Sequence, residues 1–357
     1  MVCDTNAAGD PSRWSGTAGK GCPGYRARRI APPVGIGTVS QVGETLPRSS
    51  QPCQGAFTGT RWSIIRLVSF DYYHEPTSLR EAIELGARFG ADGRFLAGGT
   101  DLLIQIRRGQ LAPRHLVSLH RVPGLSALEV DSALSLGALV THRQLERTAG
   151  LRGAWEALRE GAEVVGGHQI RNVATVGGNV VNASPAADVV PVLLALDATV
   201  TCLSPAGERT LPLEGFASAP GVTARRPDEL LTRVRMPALS ANSGTAFLKA
   251  GRRRAMEISL VCVAVRLTLD AGHERCLDAR IALGAVAPTT LRARAAELSL
   301  ERRPLSDAVF AEAGRTAARE CQPITDVRAS ARYRALLVAA MVPRALARCR
   351  ERIRRAA

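Results

Sequence analysis

Lysine is nearly absent from this 357-residue chain: Lys20 and Lys249 are the two it has, yet the formal net charge is +15. The positive charge is therefore almost all arginine, and it is spread along the sequence rather than gathered in a patch. A basic balance of this size raises a nucleic-acid partner. Aromatic residues at 4% are too sparse for base-stacking platforms, so the arginine reads as composition and no nucleic acid is expected. The longest apolar run, residues 189–196, is closed by Asp188 and Asp197 and falls short of the ~18 residues of a membrane helix, so no span is expected. Nor does an apolar stretch follow Met1, which argues against a secretory signal. The eight cysteines (Cys3, Cys22, Cys53, Cys202, Cys262, Cys276, Cys321, Cys349) form no CxxC pair. That argues against an iron–sulfur cluster or structural zinc held by this chain alone, and scattered thiols in a chain this long read as reduced and cytoplasmic. No Ser/His/Asp or His/Cys/Glu set recurs at ligand spacing, so no acid/base catalytic residue and no metal ligand is expected; His168 reads as a solvated loop histidine. No GxGxxG occurs, which speaks against a Rossmann site.

What is present is enough for two to three structural units. Residues 1–65 are rich in Gly, Pro, Ser, Thr and Arg without apolar period and read as a disordered extension or a mis-called start. Gly16–Gly21 has the wrong spacing for a phosphate loop. Beyond residue 67, Ser78 and Glu81 form a capping box before a helix with Ala82, Ile83, Leu85 and Phe89 inward. Strands are expected at 94–97, 116–119 and 134–139, with 102–106 a strand or helix start. A capping box at Thr141 and Gln144 opens a short helix, and a second helix covers 151–165. The stretch 169–182 reads as irregular, 188–196 as a buried helix, and 199–203 with 209–213 as a hairpin. Strands at 246–250, 258–269 and 276–286 suit an antiparallel sheet, and helices are expected at 290–300, 306–320 and 327–354.

Two glycine-rich loops carry the chemistry: Leu96, Ala97, Gly98, Gly99, Thr100, Asp101, Leu102 and Leu103 in the first, and residues 169–188, with Thr175, Gly177, Gly178 and Asn179, in the second. Paired glycines let backbone N–H groups turn to one point and let a bulky ligand approach. Either loop alone reads as a turn; two of them about 75 positions apart read as a diphosphate gripped from both sides.

On those residues the chain resembles a known family. FLAGGTDLL at 95–103, QIRNVATVGGNVVNASPAADVVPVLLALDA at 169–198, PDELL at 227–231, AFLKAGRRRAMEIS at 246–259 and DVRASARYR at 326–334 are similar to the FAD-binding, medium subunit of the molybdenum hydroxylases, the family of xanthine dehydrogenase and aerobic carbon monoxide dehydrogenase. The resemblance covers about 67–350 and leaves 1–65 outside. It implies an α+β fold: a vanillyl-alcohol-oxidase (PCMH) type FAD-binding domain over 66–240, with α/β lobes at about 66–120 and 121–240, and a C-terminal domain over 241–357 with a three-stranded antiparallel sheet and helices. It further implies that 96–103 wrap the FAD pyrophosphate, that Val165 lies at the cofactor, and that Thr175, Gly177, Gly178 and Asn179 hold the other side. Asp188 would bind the ribose or adenine end, Leu231 would pack on the cofactor, and Lys249 would sit near the flavin ring, with 252–254 a mobile turn beside it. Read without the resemblance, Asp188 is a helix-start aspartate, Leu231 a core leucine, Lys249 a surface lysine and 252–254 a solvated turn. The implied activity is electron transfer, from iron–sulfur clusters (2Fe-2S) on a small subunit through FAD to NAD or a quinone, with molybdopterin on a large subunit. A self-contained flavin oxidoreductase is the alternative within the fold, and a basic binding module without cofactor the alternative outside it. The C-terminal helix, with Leu336, Leu337, Ala340, Met341, Leu346 and Ala347 near a 3.6-residue period, is either a core helix or part of a subunit interface.

Overall fold

The computed structural model describes residues 28–29, 70–253 and 255–356. The expectations for residues 1–65 lie outside these, apart from the strand Arg28–Arg29. The first helix, Leu79–Phe89, starts where the sequence says: Ser78 Oγ accepts the Glu81 N–H at 3.1 Å. The Glu81 carboxylate turns back one residue further than a capping box requires, onto the Thr77 N–H at 2.8 Å. This helix packs on a sheet in which Tyr72–His74, His115–Ser118 and Gly93–Leu96 run parallel, with Arg28–Arg29 added antiparallel at the edge.

A second sheet is antiparallel, in the order Leu128–Val130, Leu134–Gly137, Leu230–Met236, Thr199–Ser204, Gly207–Pro212. The last two are the expected hairpin. The central strand, Leu230–Met236, was not expected. The third sheet holds Ser243–Ala250, Val261–Leu269 and Cys276–Gly284, and a short fourth strand, Leu291–Arg292, corrects both the three-stranded sheet and the helix expected at 290–300. The helix there shrinks to Arg294–Leu298 because Leu291 and Arg292 continue the ladder, pairing with Leu283 and Ala282.

One apolar core runs from Leu134, Leu136 and Val234 of the second sheet through Val192 and Leu193 of the helix Val190–Ala195 to Phe247, Cys262, Ala264 and Ala282 of the third. The other face of the third sheet is covered by the helices Asp307–Glu320 and Ala331–Ala356. In the long helix Met341 and Leu346 are buried, so that stretch is core, while Leu336 is exposed. Among the described residues no helix is long and apolar enough to cross a membrane.

Much of the arginine excess is used internally. Asp197 meets Arg266, Arg280 and Arg292; Glu160 meets Arg348 and Arg352; Glu214 meets Arg294; Asp188 meets Lys249. Among the described residues, every ion pair between 70–239 and 243–356 sets its acid in the first segment and its base in the second.

Candidate cofactor-binding site

The two glycine loops meet backbone to backbone. The first leaves the strand Gly93–Leu96 and opens the helix Leu102–Arg107. A Cβ at Gly98 would lie 1.9 Å from Val173 O and 3.1 Å from Ala174 Cα, so only a glycine lets the loops approach this closely. Gly99 takes a φ of +72°, the left-handed region glycine favours. The amides of Gly98, Gly99 and Thr100 donate to no acceptor among the described residues. Leu96 is buried, and Leu102 and Leu103 pack partly buried beside it, anchoring the loop.

The second loop differs from the expectation. Residues 169–182 are not irregular but carry two short helices, His168–Val173 and Val176–Val181. Thr175 explains the second, since its hydroxyl accepts the Gly178 N–H at 3.1 Å as an N-cap. The other amides here are engaged too: Val176 N–H with Val140 O, Gly177 N–H with Ala138 O, both at 2.9 Å, and Asn179 N–H with Thr175 O at 2.9 Å. A Cβ at Gly177 would lie 2.7 Å from Ala138 O, so this glycine serves packing. The second loop is thus a pinned wall, not a second nest of amide donors. It leaves the side chains: the Thr175 hydroxyl proton, and Asn179, whose Oδ1 is buried without a partner. An orphaned buried carbonyl oxygen on one loop and three unengaged amides on the other fit a bound polar group with both donors and acceptors. Gln105 Nε2 and Asn182 Oδ1, 3.4 Å apart, tie the two loops' helices together.

Asp188 and Lys249 were expected at opposite ends of a cofactor; the structure joins them. Asp188 is buried and accepts from Lys249 Nζ at 2.7 Å, from the Ser259 hydroxyl at 2.5 Å and from the Cys262 thiol at 3.1 Å. The strand register explains it, since Lys249 lies opposite Cys262 in the third sheet and both reach the start of the helix Val190–Ala195. Burial and the Asp188 charge push the Cys262 thiol well above its ordinary pKa, so it stays a donor. Lys249 is no surface lysine: it also donates to Val164 O at 3.1 Å and lines a cavity of about 350 Å³ with Val164, Gly251, Arg252, Arg253, Ala255 and Glu257. Arg252 and Arg253 pair with Glu257 at 3.5 and 3.2 Å; Arg254 lies outside the described residues. Leu231 sits in the main core in the central strand of the second sheet, as the plain reading had it. Val165 is half-buried against the same core, and Asp101 is exposed beside the first loop.

Sequence reasoning missed Arg171, Ser259 and Cys262. Arg171 is buried and donates to Glu146 Oε2 at 2.9 Å and to Val165 O at 3.1 Å, fixing the approach to the second loop, and it contacts His168 Nδ1. Burial opposes it, yet hydrogen bonds from Arg143 and Arg171 hold the Glu146 carboxyl below the usual range. Ser259 ends a quoted block, but its partner is 71 positions away, a distance no local pattern signals.

Comparison with known proteins shows the family of the chain. Residues 68–239 match the family described as the FAD binding domain in molybdopterin dehydrogenase, and 246–349 the CO dehydrogenase flavoprotein C-terminal domain. The chain is 35% identical over 287 residues to the 6-hydroxypseudooxynicotine dehydrogenase complex subunit alpha of Paenarthrobacter nicotinovorans, covering 80% of this chain and 96% of that one. It is 30% identical over 282 residues to the carbon monoxide dehydrogenase medium chain of Hydrogenophaga pseudoflava, covering 78% and 97%. Among solved structures, reconstituted CO dehydrogenase from Oligotropha carboxidovorans superposes with a TM-score of 0.76 at 31% identity, covering 80% of this chain and 98% of that one.

Proposed function

The chain belongs to the family of FAD-binding subunits of the molybdenum hydroxylases, and from that premise we propose that it works in the cytoplasm as the electron relay of such a complex. Electrons from iron–sulfur clusters on a small subunit, released by hydroxylation at a molybdopterin-bearing large subunit, would reach FAD here and leave to NAD or a quinone. The observation that carries the reading is the set of unengaged amides at Gly98, Gly99 and Thr100, in a loop that meets the second one backbone to backbone at Gly98. These amides would hold the anionic pyrophosphate, with the Thr175 hydroxyl donating to it and Asn179 Oδ1 accepting from a hydroxyl of the cofactor. FAD, when bound, supplies the exchange between one-electron donors and a two-electron acceptor. The rest is work of the protein. Lys249 presents a fixed positive charge at the cavity wall and Asp188 limits it. Leu96, Leu102 and Leu103 hold the first loop, and Gly98 keeps the loops at contact distance. The parallel and five-stranded sheets correspond in this reading to the two lobes, at about 66–120 and 121–240, of a vanillyl-alcohol-oxidase (PCMH) type domain, with 241–357 as the C-terminal domain.

The test is co-expression with candidate large and small subunits, followed by size-exclusion chromatography and release of cofactor by denaturation. FAD rather than FMN should be released, in a fraction that also holds molybdenum and iron. A soluble, FAD-loaded monomer that binds neither subunit overturns the relay and favours a self-contained oxidoreductase.

A further inference from the structure

The segment DVRASARYR, 326–334, lies outside the two glycine loops and the Asp188–Lys249 pair, and Arg334 at its end is the least exposed arginine among the described residues. We propose that Arg334 is a positioning residue that holds the Asp188–Lys249 pair in register; the inference rests on the reading of that pair as part of the cofactor site. Arg334 is 2% exposed. Its Nη1 donates to Leu260 O at 2.6 Å and to Ala285 O at 3.2 Å, and its Nη2 to Asp326 Oδ1 at 2.9 Å. Asp326 is itself fixed, accepting the N–H groups of Arg328 and Ala329 at 2.9 and 3.2 Å.

The two carbonyls belong to the two walls of the pair. Leu260 follows Ser259, whose hydroxyl donates to Asp188, and the Leu260 N–H donates to the carbonyl of Ala250, the neighbour of Lys249, at 2.9 Å. Ala285 has a φ of +63°, and its N–H donates to Pro185 O at 2.7 Å, three residues before Asp188. One planar guanidinium thus fixes the strand side, with Lys249 and Ser259, and the loop side, with Asp188. A lysine carries the charge but lacks the rigid fork that reaches three oxygens in set directions. A buried charge of this kind is weak evidence for stability; its contribution is geometry.

The test titrates FAD into the full chain with Arg334→Lys, Lys249→Met and the double variant, following flavin fluorescence and the visible spectrum of the bound flavin. Each single variant should weaken FAD binding about tenfold, the scale of one lost charge-assisted hydrogen bond. The double variant should bind no more weakly than Lys249→Met alone, because Arg334 acts through that pair. Arg334→Lys should also change the flavin spectrum as Lys249→Met does. Additive losses, near a hundredfold in the double variant, or wild-type binding by Arg334→Lys, overturn the inference while leaving the site reading in place. Wild-type binding and spectrum in Lys249→Met overturn the site reading and the inference with it. If Arg334→Lys does not fold, Asp326→Asn, which frees the guanidinium from its anchor, replaces it in the same cycle.

Discussion

Gly98→Ala separates packing between the loops from contact with the cofactor. The added Cβ would stand 1.9 Å from Val173 O and 2.6 Å from Val173 C, both backbone atoms. An ordinary carbon–oxygen contact is about 3.3 Å, so the loops must open by about 1.4 Å. They cannot open freely. The second loop is held by Val176 to Val140, by Gly177 to Ala138 and by the His142 N–H to Ala174 O at 3.1 Å. Overpacking of this kind costs about 1–3 kcal/mol, a fall in Tm of about 2–10 °C for a domain of this size. The amides of Gly98, Gly99 and Thr100 would move with the first loop, so FAD retention should be lost as well. Gly178→Ala is the matched control. Its Cβ meets only Thr175 Oγ1, at 3.0 Å, and the residue is exposed, so Tm should hold while FAD loading falls. Differential scanning fluorimetry and flavin absorbance on both variants decide the matter. A Gly98→Ala protein that keeps both its Tm and stoichiometric FAD refutes the contact argument.

Glu160→Ala should cost about 3–5 kcal/mol by urea denaturation, because it strands Arg352 and the buried Phe247 N–H, which Glu160 accepts at 3.0 Å; a loss under 1 kcal/mol would sink this. His142 is buried, and burial together with the Arg171 charge lowers its pKa from 6.5 to about 4. A lowered pKa means full stability above pH 6.5, lost as pH falls from 6.5 to about 4, by up to about 3 kcal/mol. His142→Phe should flatten stability over that window, and an unchanged profile would show that other groups set it. Removing either half of the Asp188–Lys249 pair should move the flavin potential in opposite directions, Lys249→Met down and Asp188→Asn up, by on the order of 30 mV. Spectroelectrochemical titrations showing no shift in either variant, or shifts of the same sign in both, would remove the pair from the flavin's surroundings.

The first glycine loop was legible because its physics is local: a backbone that must approach closely or turn left-handed needs glycine at a fixed place in the motif. The same local rule caught the Thr141–Gln144 capping box, which the structure contains in full. It failed at 169–182, where a run of Gly, Asn and Thr looked like loop. There Thr175 works as a cap and the glycines as close-packing positions, so the same residue types form two short helices. The strand Leu230–Met236 was hidden for a different reason. Arg233 and Arg235 make it look like surface chain, although Leu230, Leu231, Val234 and Met236 are buried at the centre of the sheet. The Asp188–Lys249 pair, and the arginines around Asp197 and Glu160, were beyond reach because their partners are brought together by register and helix packing over 61 to 192 positions.

The one-way arrangement of acids on 70–239 and bases on 243–356 bears on inheritance. Two segments joined by charges of mixed sign could be exchanged between relatives with some pairs lost and others gained at random. Here the join is polarised throughout, so a recombinant must bring arginines to all of Asp197, Glu160 and Glu214 at once or leave carboxylates unmatched on one side. A crossover near residue 240 therefore keeps these pairs only between parents whose polarity across the join runs the same way.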